Sequence, residues 1–182
     1  MALGPVLALL LGACGISAQS EPHPVEPPTF SAVASGSRVG TGVPMTIQVY
    51  LLHGDRLQRV ERMVSPGPGL VPVLEALSRP LDEVELSDGL RTALPVAVQA
   101  LRGSVAQDGT ARVAVPPGFD RMSLREQQSA MAQLVFTVTA NSLADDVQLV
   151  SGSRVFAVPD AMGELTSRPV SRADYGRFDP LP

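Results

Sequence analysis

From Pro44 onward the chain alternates: Met45, Ile47, Val49 and Leu51 are interleaved with Thr46, Gln48, Tyr50 and Leu52. An apolar residue at every second position over a run of this length specifies a β-strand, because successive side chains leave a strand on opposite faces. A strand cannot stand alone, since its main-chain donors and acceptors need a partner. The residues that follow supply one. His53-Gly54-Asp55 has turn chemistry, and Leu57 to Val64 alternates again, with Val60 and Val64 on one face and Arg59, Glu61 and Met63 on the other. The two runs predict a β-hairpin.

Ser65-Pro66-Gly67-Pro68-Gly69 ends the second strand, and Leu70, Val73, Leu74 and Leu77 then recur at helical spacing until Pro80 stops them. Pro72 falls in the first turn of that helix, where a missing N–H costs little. Asp82 to Pro95 reads as an ordered connector. Ala97 to Gln107 and Thr110 to Val115 form a second predicted hairpin around Asp108-Gly109, two residues that tolerate positive φ. Ser123 to Glu126 has capping-box spacing, and Leu124, Met131, Leu134, Val135 and Val138 place an apolar stripe on a second, longer helix reaching about Ala140. Val147 to Val150 and Arg154 to Val158 read as a last strand pair around Ser151-Gly152-Ser153. The expected fold is α+β: a single domain with two helices packed on one face of a mixed or antiparallel sheet.

Outside this body the composition changes. Glu21-Pro22-His23-Pro24-Val25-Glu26-Pro27-Pro28, followed by Ser, Gly and Thr, reads as a tether over residues 14–43, with a reach of several nanometres at ~3 Å per extended residue. The domain is expected over 44–160, with 161–182 as an irregular tail that closes it. Hydrophobic residues make up 45% of the chain, enough for a real core, and the net charge is −4 with every basic residue an Arg. These arginines are scattered singly from Arg38 to Arg177, which argues against a nucleic-acid footprint.

Cys14 is the only cysteine, so no intramolecular disulfide can form. It follows the apolar run Val6 to Leu11, and Leu11-Gly12-Ala13-Cys14 matches a lipoprotein lipobox, in which small residues admit a signal peptidase and the thiol takes a diacylglyceryl group. Residues 1–13 are then a signal peptide, although Met1 to Pro5 lack the usual basic residues. The expectation is a chain lipid-anchored at Cys14 on the extracytoplasmic face of the cell membrane.

A search for chemistry yields little else. A nucleophile–histidine set has only His23, between prolines, and His53, beside Asp55 in a turn. Asp145-Asp146 and Asp82-Glu83 with Glu85 are the tight acidic groups; they lack the alternating ligands of a dedicated calcium site and read as loop charge. The glycines between Pro66 and Gly69 precede a helix, yet no phosphate-loop motif is present and Pro66, Pro68 and Pro72 remove the donors an anion needs. Met122 and Met131 read as core. Neither a catalytic set, a metal site nor a cofactor site is expected.

Several segments taken in order resemble the GerMN domain, the sporulation and spore-germination GerM-type domain of Gram-positive lipoproteins. Ile47-Gln48-Val49-Tyr50-Leu51 resembles its opening strand, and Leu74-Glu75-Ala76-Leu77 with Arg79-Pro80 its first helix and stop. Gly89-Leu90-Arg91-Thr92-Ala93-Leu94-Pro95 is similar to its Gly-Leu-x-Ser/Thr-Ala-Leu/Ile-Pro loop, and Asp108-Gly109-Thr110-Ala111-Arg112-Val113 to its hairpin. Gln133-Leu134-Val135-Phe136-Thr137-Val138-Thr139 resembles its second helix, and Arg168-Pro169-Val170-Ser171-Arg172-Ala173-Asp174-Tyr175 its closing segment. Leu149-Val150-Ser151-Gly152-Ser153-Arg154 departs from the usual Val-Asp-Gly-Lys turn. The resemblance spans about Pro44 to Tyr175 and implies a fold related to ring-building domains and a non-catalytic interaction module.

The leading expectation is therefore an anchored GerMN-type module that binds an envelope protein partner or forms a homo-oligomer. The alternative is an envelope lipoprotein that binds or hydrolyses a cell-wall polymer. Converging carboxylates in a cleft would favour the alternative, and an uncovered sheet edge the module.

Overall fold

The structure is a computed structural model that describes residues 42–95, 101–141 and 144–180. All of these lie in one compact unit, Arg38–Pro182. The element order is β1 (Met45–His53), β2 (Arg56–Val64), α1 (Val71–Ser78), α2 (Glu83–Ser87), β3 (Leu90–Arg91), β4 (Gly103–Val105), β5 (Thr110–Ala114), α3 (Leu124–Ala140), β6 (Asp146–Ser151), β7 (Arg154–Val155), β8 (Val158–Pro159) and β9 (Leu165–Thr166). Short 3-10 turns lie at Phe119–Arg121 and Arg172–Phe178.

The first hairpin forms as the alternation predicts, with Val49 opposite Val60 and Leu52 opposite Leu57. Gly54, at φ 61°, supplies the left-handed turn residue. β1 is the middle strand of the sheet β2-β1-β3 and is buried on both faces in its second half: Leu51 packs on one side and Tyr50 and Leu52 on the other. The period-two pattern there has become a continuous apolar run, as expected for a strand covered on two sides.

The mixed α+β class holds, but the strands form three sheets. The second, of order β4-β5-β6-β7, contains the parallel pair β5–β6, and the third pairs β8 with β9. Parallel pairing needs a long crossover, and α3 provides it. The 17-residue α3 has both reciprocal bonds of its capping box, between Ser123 and Glu126, and its buried stretch runs from Gln128 to Val138. α1 and α3 both pack on β1, which places the core between the first sheet, the two helices and the inner face of β5 and β6.

Four expectations change. The connector after Pro80 contains α2 and β3: Asp82 and Glu85 form a capping box, and Leu90 and Arg91 pair with His53 and Leu52. Of the strand expected over Ala97 to Gln107, only Gly103–Val105 is strand, and residues 96–100 lie outside the described residues. The segment from Arg154 to Val158 divides, since β7 pairs with β6 while β8 turns to pair with β9. The closing segment is also more than a tail. Val170 exchanges two main-chain hydrogen bonds with Val147 at 2.8 and 2.9 Å, and Tyr175 and Phe178 enter the core. Among the described residues no helix is long and apolar enough to cross a membrane.

Candidate functional site

Cys14 and His23 lie outside the described residues. His53 ends β1 at the surface, and Asp55 in the following turn is engaged by Arg125 at 2.9 Å, so the two do not form a catalytic pair. Asp82 and Glu85 are consumed in the α2 cap, and Asp145 is exposed beside the start of β6. No group of three His, Cys, Asp or Glu is arranged to hold a metal among the described residues. The glycine-proline segment before α1 is a turn, closed by the Val71 N–H on the Pro68 carbonyl at 3.1 Å. Met131 is fully buried and Met122 packs against the core, as expected.

The motif segments meet instead along one side of α3. Gln133, Thr137 and Asn141 are spaced four apart, which stacks them on one helix face. The Gln133 Oε1 accepts from the Ala93 N–H at 2.9 Å and the Thr92 hydroxyl at 3.2 Å. The Thr137 Oγ1 accepts from the Tyr50 N–H at 3.0 Å. Asn141 accepts from the Gln48 N–H at 3.2 Å and donates to the Gln48 carbonyl at 3.1 Å. β3 pairs with β1 only at Leu52 and His53. Further along the strand, α3 side chains therefore satisfy the main-chain groups that a longer neighbour would have taken. The Gln133 Nε2 is buried with no hydrogen-bond partner among the described residues.

A second set of side chains fastens the closing segment. Arg172 donates to the Thr139 hydroxyl at 2.6 Å and the Phe136 carbonyl at 3.1 Å, and its guanidinium lies 5.0 Å from the Phe136 ring centre and 5.6 Å from that of Tyr50. Asp174 pairs with Arg168 and accepts from the Ser171 N–H at 2.8 Å. The bond from Arg168 pulls its carboxyl down to about 2. The Tyr175 hydroxyl donates to the Pro159 carbonyl at 2.7 Å, and burial raises its pKa above the usual phenol range. Arg62, on β2, forms a two-pronged buried pair with Glu85 at 2.9 and 2.6 Å and also donates to the Ala76 carbonyl at 2.6 Å. These polar groups are engaged with one another and with main-chain carbonyls, so they hold the fold together.

Two kinds of surface remain. Hollows of about 480, 470 and 220 Å³ open among the described residues. Asp55 lines the first, Glu126 the last, and no carboxylate lines the second, so none of them brings two acids face to face. The other surface is the far side of β2. β2 is the outer strand of its sheet. Arg79 donates to the Met63 carbonyl at one end and Arg56 to the Asp179 carbonyl at the other. Between them, among the described residues, main-chain hydrogen bonds run only to β1. Nothing in the sequence pattern marks which strand becomes an edge, because alternation reports faces and is silent on neighbours.

The family model described as "Germane: Sporulation and spore germination" matches residues 48–154. No curated protein sequence matches the chain. Among solved structures, the tandem GerMN domains of the sporulation protein GerM from Bacillus subtilis superpose with a TM-score of 0.57 at 20% identity, covering 72% of this chain and 48% of that one. The chain thus spans about half the length of that tandem structure. The first GerMN domain of the same Bacillus subtilis protein superposes with a TM-score of 0.53 at 22% identity, covering 71% of this chain and 98% of that one.

Proposed function

The chain belongs to the Germane family of sporulation and spore germination, and from that premise we propose that it is a non-catalytic module, anchored through lipid on Cys14, that pairs with a protein through the outer edge of β2. The observation that carries this reading is that edge: a nine-residue strand with its far side unpaired by any strand among the described residues. Free N–H and C=O groups in a row are a template for an added strand. Arg59 and Glu61 along it are exposed and charged, which discourages indiscriminate pairing and demands a partner of matching charge.

Lipid attachment rests on Leu11-Gly12-Ala13-Cys14. Two acyl chains on one cysteine hold a protein to a bilayer stably where one is marginal, and a long tether keeps the domain at high effective concentration near envelope partners. The hydrolytic form of the cell-wall alternative has less support among the described residues, because two of these hollows hold one carboxylate each, already engaged, and the other holds none.

A photo-crosslinking residue at Gln58, on the exposed side of β2, tests the edge, with one at exposed Asp120 as control. Crosslinks to a protein or a second copy from Gln58 and not from Asp120 are expected. Equal yields from both, or none from Gln58 in intact cells, overturn the reading.

A further inference from the structure

The hollow of about 480 Å³ at the N-terminal end of α3 collects three guanidinium groups from three parts of the chain: Arg91 of β3, Arg125 at the second position of α3, and Arg177 in the last 3-10 turn. Asp55 is the one carboxylate on its wall, so a local excess of positive charge sits on a chain of net charge −4. The smaller hollow of about 220 Å³ shares Arg91 and Arg125. Its acid, Glu126, is occupied by the Ser123 N–H and hydroxyl at 2.8 and 2.7 Å.

Each guanidinium is held by one nitrogen. Arg91 Nη2 donates to the Gly54 carbonyl at 2.8 Å, Arg125 Nη2 to Asp55 at 2.9 Å, and Arg177 Nη2 to Gln128 Oε1 at 2.6 Å. Gln128 is itself buried and fixed by donating to the Asp160 carbonyl at 2.6 Å, and Arg177 lies 4.6 Å from the Phe178 ring centre. A guanidinium has five N–H donors. Each of the three is exposed and keeps donors with no protein partner among the described residues. Arg125 is moreover a cation in the first turn of a helix, where the macrodipole disfavours it. An anion in the hollow would relieve that conflict.

The chemistry of the walls narrows the anion. Half-exposed Leu124, beside the edge of the buried Phe178, gives the hollow an apolar side that a free phosphate cannot use. In addition, Arg125 and Ser129 continue, at four-residue spacing, the α3 face whose lower members Gln133, Thr137 and Asn141 bind extended main chain. We propose that this hollow docks an acidic peptide segment of a partner protein, with carboxylates on Arg91, Arg125 and Arg177 and a neighbouring apolar side chain against Leu124. Planar carboxylates match the guanidinium fork. The site shares no residue with β2 and stands whether or not strands pair there.

The test uses the full-length protein in detergent and a labelled peptide bearing two glutamates and a leucine, followed by fluorescence anisotropy. Binding at least about tenfold tighter than for the glutamine counterpart is expected, with affinity falling as salt rises. Arg91→Ala and Arg177→Ala should each weaken binding severalfold while leaving Gln58 crosslinking unchanged. Arg91→Ala should leave thermal unfolding unchanged as well, whereas Arg177→Ala, which strips buried Gln128 of a partner, should also lower the melting temperature. Equal affinity for the two peptides, no binding of either, or full affinity in both variants overturns the proposal. So does displacement of the peptide by inorganic phosphate at matched concentration, or capture of phosphatidylglycerol vesicles that is lost in the same variants; these would assign the hollow to a phosphate or a lipid surface.

Discussion

The side-chain amide of Asn141 closes a ring with the main chain of Gln48, accepting its N–H at 3.2 Å and donating to its carbonyl at 3.1 Å across 93 residues of sequence. The last residue of the helix face thus stands in for a strand beside β1. Asn141→Ala should leave both Gln48 groups without a partner and destabilise the domain by about 1–3 kcal/mol. Asn141→Asp should recover little, since a carboxylate accepts and cannot donate. Chemical denaturation, with amide exchange at Gln48 as the local readout, checks both; wild-type exchange in the alanine variant contradicts the assignment.

The buried pair of Arg62 and Glu85 ties β2 to α2, and Arg62 also holds the Ala76 and Arg79 carbonyls at the end of α1. Removing one partner strands a buried charge, so Glu85→Ala is expected to cost about 3–5 kcal/mol. The double variant Arg62→Met with Glu85→Leu should regain part of that loss, because no charge is left uncompensated. A double variant less stable than the single one would show that the α1 carbonyls matter more than the ion pair.

Asp174 titrates at about 2 in the folded protein, below its ordinary value of 3.8, chiefly because of its bond from Arg168. Between those values the unfolded chain binds the proton and the folded one does not, so stability rises with pH across that window. The contribution is complete above the unfolded value and is lost as pH falls towards 2. Arg168 is half exposed, so solvent and salt weaken the pair. Asp174→Asn should flatten the stability profile between pH 4 and 2, measured by urea denaturation at stepped pH, and an unchanged slope would refute the assignment.

Gly103 has no room for a side chain. A Cβ there would meet the Arg112 carbonyl at 2.7 Å and the side chains of Leu74 and Val113 at 3.1 Å. The first contact is with the main chain of the paired strand, which cannot yield without opening the hairpin. Gly103→Ala should lower stability by about 1–3 kcal/mol, read as a fall in the melting temperature. Gly109→Ala, at φ 80° with open space around it, tests backbone strain alone and should cost less.

Much of the fold was readable before the structure because its signals are local. The first hairpin, α1 and α3 each rest on a periodicity and a boundary within a single segment, and the Ser123–Glu126 cap closed as its spacing required. α2 and β3 were missed for a local reason too: five and two residues are too few to show a period. β8 and β9 are equally short, and their pairing is set by contacts from elsewhere.

The motif residues show the limit of reading a site. Gln133, Thr137 and Arg172 could be picked out as members of recognisable segments, but their work could not. In the fold they bind the Ala93 N–H, the Tyr50 N–H and the Phe136 carbonyl, so they act as fasteners. Asn141, one residue beyond the expected end of the second helix and outside every motif segment, belongs with them.

By itself the sequence determined the α+β class, the strand and helix boundaries that carry a period, the GerMN likeness and the expectation of a lipid on Cys14. Tertiary structure alone decided which strand became the open edge, that the strands divide into three sheets, and that Arg91, Arg125 and Arg177 share one hollow. The physical reason is range. Periodicity and capping are settled within a few residues, whereas an edge, a charge cluster or an Asn141–Gln48 ring exists only after segments far apart in the chain have been brought together.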